Sequence, residues 1–98
     1  MSLPVPNPAV PMPEGSTLAF LAKGRFAVIT GIRTSPIPAV TEHVHRLREL
    51  GFLPGERVRV VATGFPGGDP IAVRLGHATF ALRQFEADLI EIAESEGP

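Results

Sequence analysis

Between residues 26 and 92 the apolar positions follow two periods. Phe26 to Ile32 is a run of β-branched and aromatic residues that reads as a first strand, with Gly31 and Arg33 beginning its exit. Ser35-Pro36-Ile37-Pro38 interrupts regular structure. From Thr41 to Leu50 the spacing changes: Val40, Val44, Leu47 and Leu50 fall on one helical stripe, with Glu42, His45, Arg46 and Glu49 largely outside it. Thr41 suits the N-cap and Gly51 the left-handed position that stops the helix. Pro54 and Gly55 then suit the two central positions of a type II turn.

The alternation returns after that turn. Val58 and Val60 share one face of a strand over Arg57–Ala62, with Arg57 and Arg59 on the other. Thr63–Asp69 is a glycine-rich loop. Ile71, Val73 and Leu75 mark a third strand, Gly76-His77 a tight hairpin turn, and Phe80 and Leu82 a fourth strand. A short turn over Gln84–Ala87 leads to a last strand, Leu89–Ile92. Five short strands and one helix, with too few residues for two packed sheets, predict a small closed β barrel with the helix packed on it. Closure removes the edges that otherwise invite aggregation. The expected core is Leu47, Leu50, Val60, Ile71, Val73, Leu82 and Ile90, joined by Val58, Phe80, Phe26 and Phe52, with Leu18, Phe20 and Leu21 capping it.

Length allows one domain, and composition trims it. Pro4, Pro6, Pro8, Pro11 and Pro13 recur almost every second position, so residues 1–14 read as a proline-rich disordered tail. Residues 15–93 form the expected folded domain, and residues 94–98 a short acidic tail. The chain has no cysteine, which excludes disulfides and thiolate metal sites. No stretch of about 18 apolar residues is present to insert into a membrane, and the start lacks the basic and apolar regions of a signal peptide. The cytoplasm is the expected location.

The net charge of −1 conceals an uneven distribution. All nine cationic residues lie between Lys23 and Arg83, against four acidic ones, a net +5 for that span. Residues 86–98 carry −5. Arg57, Arg59, Arg74 and Arg83 can share the outer sheet face. Nucleic acid is nevertheless not an expected partner: the isoelectric point is near 6.3, and of the six Phe residues only Phe65 and Phe85 look free for base stacking.

Catalytic chemistry is not expected. Ser2, Ser16, Ser35 and Ser95 lie in tails or loops without a neighbouring histidine. The Gly64–Gly68 loop lacks the Lys-Ser/Thr of a phosphate cradle, and Asp69 repels phosphate. Glu86 and Asp88, read as strand residues, point to opposite faces. The candidate metal ligands are His43, His45, His77 and Glu49. His43 and His45 are about 200° apart on a helix, so they cannot grip one ion together. Any zinc or iron(II) site here is weak and completed by water or a second molecule, which predicts a metal-bridged homodimer and no required cofactor.

Four motifs in order carry a family resemblance: Leu50-Gly51-x-x-Pro54-Gly55, Gly68-Asp69-Pro70-Ile71, Ala81-Leu82-Arg83 and Glu86-Ala87-x-x-Ile90. Over about residues 17–92 the chain resembles the FeoA family. The resemblance implies an SH3-like barrel and a small non-enzymatic cytoplasmic protein of bacterial ferrous iron uptake. It also implies a partner, the G-protein-bearing membrane transporter FeoB. Phe65, on its flexible glycine stem, together with Arg46 and Glu49 on the helix, are then the candidate partner contacts. The same barrel occurs in iron-dependent repressors, so the alternative reading is a free-standing module acting on such a repressor.

Overall fold

A computed structural model describes residues 16–64 and 67–95. Its regular elements are β1 (Phe26–Ile32), α1 (Pro38–Leu50), β2 (Arg57–Thr63), β3 (Ile71–Leu75), β4 (Ala78–Leu82), α2 (Gln84–Ala87) and β5 (Ile90–Ser95), preceded by a 3₁₀ turn at Leu18–Phe20. The chain is mainly β, with one antiparallel sheet of five strands in the order β4-β3-β2-β1-β5 and one main helix. β5 runs through Ser95, two residues beyond the predicted domain edge.

The sheet does not close into the expected barrel. Closure needs β4 to pair with β5, but these strands are the two ends of the order. The second edge of β5 is taken by the lead-in segment instead: Thr17 bridges Glu91, and the Ile92 amide donates to the Ser16 carbonyl at 2.9 Å. Register shifts between Ile29 and Gly31 in β1, and between Val60 and Ala62 in β2, mark bulges, which bend and twist the strands that carry them.

The helix begins earlier than its pattern suggested. Ile37 is the N-cap and Pro38 the first helical residue. A proline is tolerated there because its missing amide hydrogen has no partner in the first turn anyway. Thr41 is therefore inside the helix, and its hydroxyl donates to the carbonyls of Ser35 and Ile37. The end is as expected. Gly51 is left-handed at φ 108°, and its amide and that of Phe52 donate back to Arg48 and Leu47. Gly55 has φ 92°, and the Glu56 amide closes the Pro54-Gly55 turn onto the Leu53 carbonyl at 3.0 Å.

The core unites Leu18, Leu21, Ala27, Ile29, Leu47, Phe52, Val58, Val60, Ile71, Val73, Leu82 and Ile90 with their neighbours. Leu50 and Phe80 are half-buried against it, Phe80 edge-on to Phe52 at 5.5 Å between ring centres. Two aromatic positions differ from expectation. Phe20 is 73% exposed, because Leu18 and Leu21 take the inward positions around the 3₁₀ turn. Phe26 lies on the outer sheet face, because Ala27 and Ile29 take the inward parity of β1.

Candidate functional site

Gln84–Ala87 is a short helix, not a simple turn, and it places Glu86 where the strand reading did not. The Gln84 amide donates to the Asp69 carboxylate at 3.0 Å, which caps α2 at its first residue. The Gln84 side-chain amide donates to the Gly68 carbonyl, so the loop before β3 and α2 are tied together. At the third position of α2, the Glu86 carboxylate turns back to accept the Arg83 amide at 3.0 Å. Glu86 is only 4% exposed.

A carboxylate so buried requires partners. They come from one face of α1, since residues three apart on a helix are neighbours. Arg46 donates through Nη1 to Glu86 Oε2 at 2.9 Å, and His43 Nδ1 lies 3.2 Å from the same oxygen. An ionised carboxylate only accepts, so Nδ1 carries a hydrogen here, and in the neutral imidazole Nε2 is then the atom with the lone pair. The His43 ring also meets Phe85 edge to face, with centres 4.8 Å apart. Phe85 is 53% exposed. The result is one patch: a half-exposed aromatic ring beside an imidazole, a guanidinium and a buried carboxylate. Beside α2, the Thr17 hydroxyl donates to Asp88 at 2.9 Å.

The sequence candidates separate in space. Arg46 and His43 belong to this patch. His45 lines a different cleft of about 200 Å³ with Thr34, Ser35, Thr41, Val44 and Arg48. His77 is exposed at the β3–β4 turn, and Glu49 is exposed on α1. Among the described residues no three His, Asp or Glu side chains gather as a metal-binding group. Phe65 lies outside the described residues. Glu86 is the contributor that the strand reading missed; Phe85 is exposed as expected, but its place beside His43 was not foreseen. The available signal was the Arg83-x-x-Glu86 spacing, which allows a glutamate to fold back on the first amide of a helix. No described helix is long and apolar enough to cross a membrane.

The FeoA domain model matches residues 16–94. The chain belongs to the FeoA family. Among solved structures, this FeoA-family chain is 40% identical to the zinc-complexed FeoA of Stenotrophomonas maltophilia. The match covers 79% of this chain and 88% of that one, with a TM-score of 0.69. That protein is described as an SH3 domain protein proposed to be a ferrous iron transport activating factor. The chain is 35% identical to iron(II) transport protein A of Clostridium thermocellum over 81% of this chain and 45% of that one, TM-score 0.67. It is 30% identical to FeoA of Chlorobium tepidum over 85% and 73%, TM-score 0.68. It thus shares the SH3-like fold of FeoA proteins. A search of curated proteins finds no match.

Proposed function

We propose that this protein is a non-enzymatic cytoplasmic accessory of bacterial ferrous iron uptake that binds and regulates an FeoB-type transporter. The observation that carries the reading is the match of the FeoA domain across residues 16–94, supported by FeoA-named structures at 30–40% identity. The contact surface we assign is the patch of His43, Arg46 and Phe85. An exposed aromatic ring held by its neighbours loses little freedom on docking, and aromatic and arginine side chains are common anchors of interfaces. Glu86 keeps Arg46 and His43 in place from below. Phe65 and Glu49 remain proposed contacts in addition.

The rival reading, a module acting on a metal-dependent repressor, has no specific support. A manganese-dependent transcriptional repressor matches with a TM-score of 0.67 but at 24% identity, which carries the fold alone.

Pull-down against the transporter's cytoplasmic domain and against the whole transporter tests the proposal. Capture of either by the native protein, weakened by Phe85→Ala with the fold intact, is the expected result. Failure to capture both, together with unchanged iron uptake in a deletion strain, rejects it.

A further inference from the structure

Across α1 from His43 lies a cleft of about 200 Å³, lined by Thr34, Ser35, Thr41, Val44, His45 and Arg48. Two parts of the chain build it. The segment between β1 and α1 supplies Thr34 and Ser35, and α1 supplies the other four. Thr41, Val44, His45 and Arg48 share one side of the helix, since positions three, four and seven apart lie one above another. His43 and His45 are about 200° apart around the helix axis, which separates this cleft from the Glu86 patch.

The polar groups of the cleft have defined roles. Thr41 Oγ1 directs its one hydrogen to the Ser35 and Ile37 carbonyls, at 3.1 and 3.2 Å. That ties the loop to the helix and leaves the Thr41 oxygen as an acceptor only. Ser35 Oγ accepts the Ile37 amide at 3.1 Å, so its own hydrogen is left to donate. Among the described residues, the Thr34 hydroxyl has no hydrogen-bond partner, and no carboxylate pairs with His45 or Arg48. Arg33, the next cation along the loop, is turned to Glu91. No acidic residue lines the cleft.

Donors therefore outnumber acceptors, and an anion is the complementary ligand. Thr34 and Ser35 offer one hydrogen each, Arg48 a planar fork of N–H groups, and His45 at least one ring N–H. A carboxylate has two oxygens to meet them, whereas a tetrahedral oxyanion has four. Size limits the ligand further. At roughly 30 Å³ per water the cleft holds the volume of about six or seven waters, below the roughly 300 Å³ at which sites for drug-sized molecules begin. The acceptor then selects among oxyanions. Sulfate has no hydrogen to give. Hydrogen phosphate has one, and the Thr41 oxygen can take it. A phosphate monoester, with its second pKa near about 6, has lost that hydrogen by about pH 7.5. We propose that this cleft binds free hydrogen phosphate, with Arg48, Thr34 and Ser35 donating to its oxygens and Thr41 accepting from its hydroxyl. The site is independent of the transporter assignment.

Titration of the isotope-labelled protein, followed through its amide shifts by heteronuclear NMR at about pH 7.5, tests this with sodium phosphate, sodium sulfate and glycerol 3-phosphate at matched ionic strength. Phosphate should move the amides of Thr34, Ser35 and Arg48 in a saturable way, and sulfate and glycerol phosphate should bind more weakly. Arg48→Gln should weaken phosphate binding by roughly tenfold, about 1.4 kcal/mol, with the rest of the spectrum unchanged. Thr34→Val keeps the shape and removes the hydroxyl, and should weaken binding by roughly threefold or more. Arg74→Gln, outside the cleft, should leave it unchanged. No saturable shift of these amides with phosphate overturns the proposal, as does unchanged affinity in either cleft variant. Sulfate binding as tightly as phosphate overturns the role given to Thr41 and with it the choice of phosphate. Glycerol phosphate binding without inorganic phosphate overturns the free ion as the ligand.

Discussion

Glu86 and His43 meet across the seam between the two helices, with Oε2 3.2 Å from Nδ1 and almost no solvent access to the carboxylate. The contact joins residues 43 positions apart in the chain. Removing the carboxylate leaves the Arg83 amide, His43 and Arg46 without an acceptor. Glu86→Ala should therefore lower stability by about 1–3 kcal/mol, the usual cost of stranding buried polar groups. Glu86→Gln should cost less, because an amide oxygen still accepts from Arg83. Thermal melts of both variants check the order; equal losses would show that the carbonyl-type acceptor contributes nothing.

The same contact bears on metal. Histidine ligands are commonly held by a carboxylate on the ring nitrogen that faces away from the ion. Glu86 faces His43 Nδ1 in that way, so Nε2 of the neutral ring would be the coordinating atom. If zinc bridges two molecules, His43→Ala should suppress zinc-induced association most, His45→Ala less, and His77→Ala least. Sedimentation with zinc and with chelator reads this out. A dimer that persists in chelator would place the interface elsewhere.

Helix packing gives a graded prediction. Leu47 is fully buried, whereas Leu50 is only half-buried beside it. Leu47→Ala should cost about 2–5 kcal/mol and Leu50→Ala clearly less. Denaturant midpoints of the two variants test this, and a reversed order would contradict the packing of α1.

Backbone conformation gives another. Gly51 and Gly55 have φ of 108° and 92°. A β-branched side chain is strained there whatever space surrounds it, so Gly51→Val and Gly55→Val should each lose about 1–3 kcal/mol. Gly55 has open space around it, so its loss isolates the backbone term. An unchanged melting temperature for Gly55→Val would mean that the turn can be rebuilt without cost.

What could be read from the sequence was local. Gly51 and Pro54-Gly55 announce their own φ angles, and the alternation through Val58, Val60, Ile71 and Val73 states which face is inside. Where every residue of a run is apolar, that logic fails. Phe26-Ala27-Val28-Ile29 carries no polar residue to mark parity, and the inward side belongs to Ala27 and Ile29. Leu18 to Leu21 has the same defect, so Phe20 reads as core and stands in solvent. The helix start was misread because Thr41 has the chemistry of a cap, while Pro38 already supplies the φ of a first turn. Glu86 was hidden for a different reason. Its burial depends on Arg46 and His43, forty or more positions away, and no local pattern reports such a distant neutralisation. The sheet's failure to close is likewise non-local: the lead-in segment, and not β4, lies against the second edge of β5.

With Ser16 and Thr17 against Glu91 and Ile92, the described sheet has a partly covered side and, at β4, one with no described strand on it. Growth by strand pairing is then hindered at one border and open at the other. Two copies joined border to border about a twofold axis would consume each other's open side, and a third would find nothing to continue from. A ribbon obstructed at one end would favour stopping at a pair, whereas two bare borders would permit a fibre.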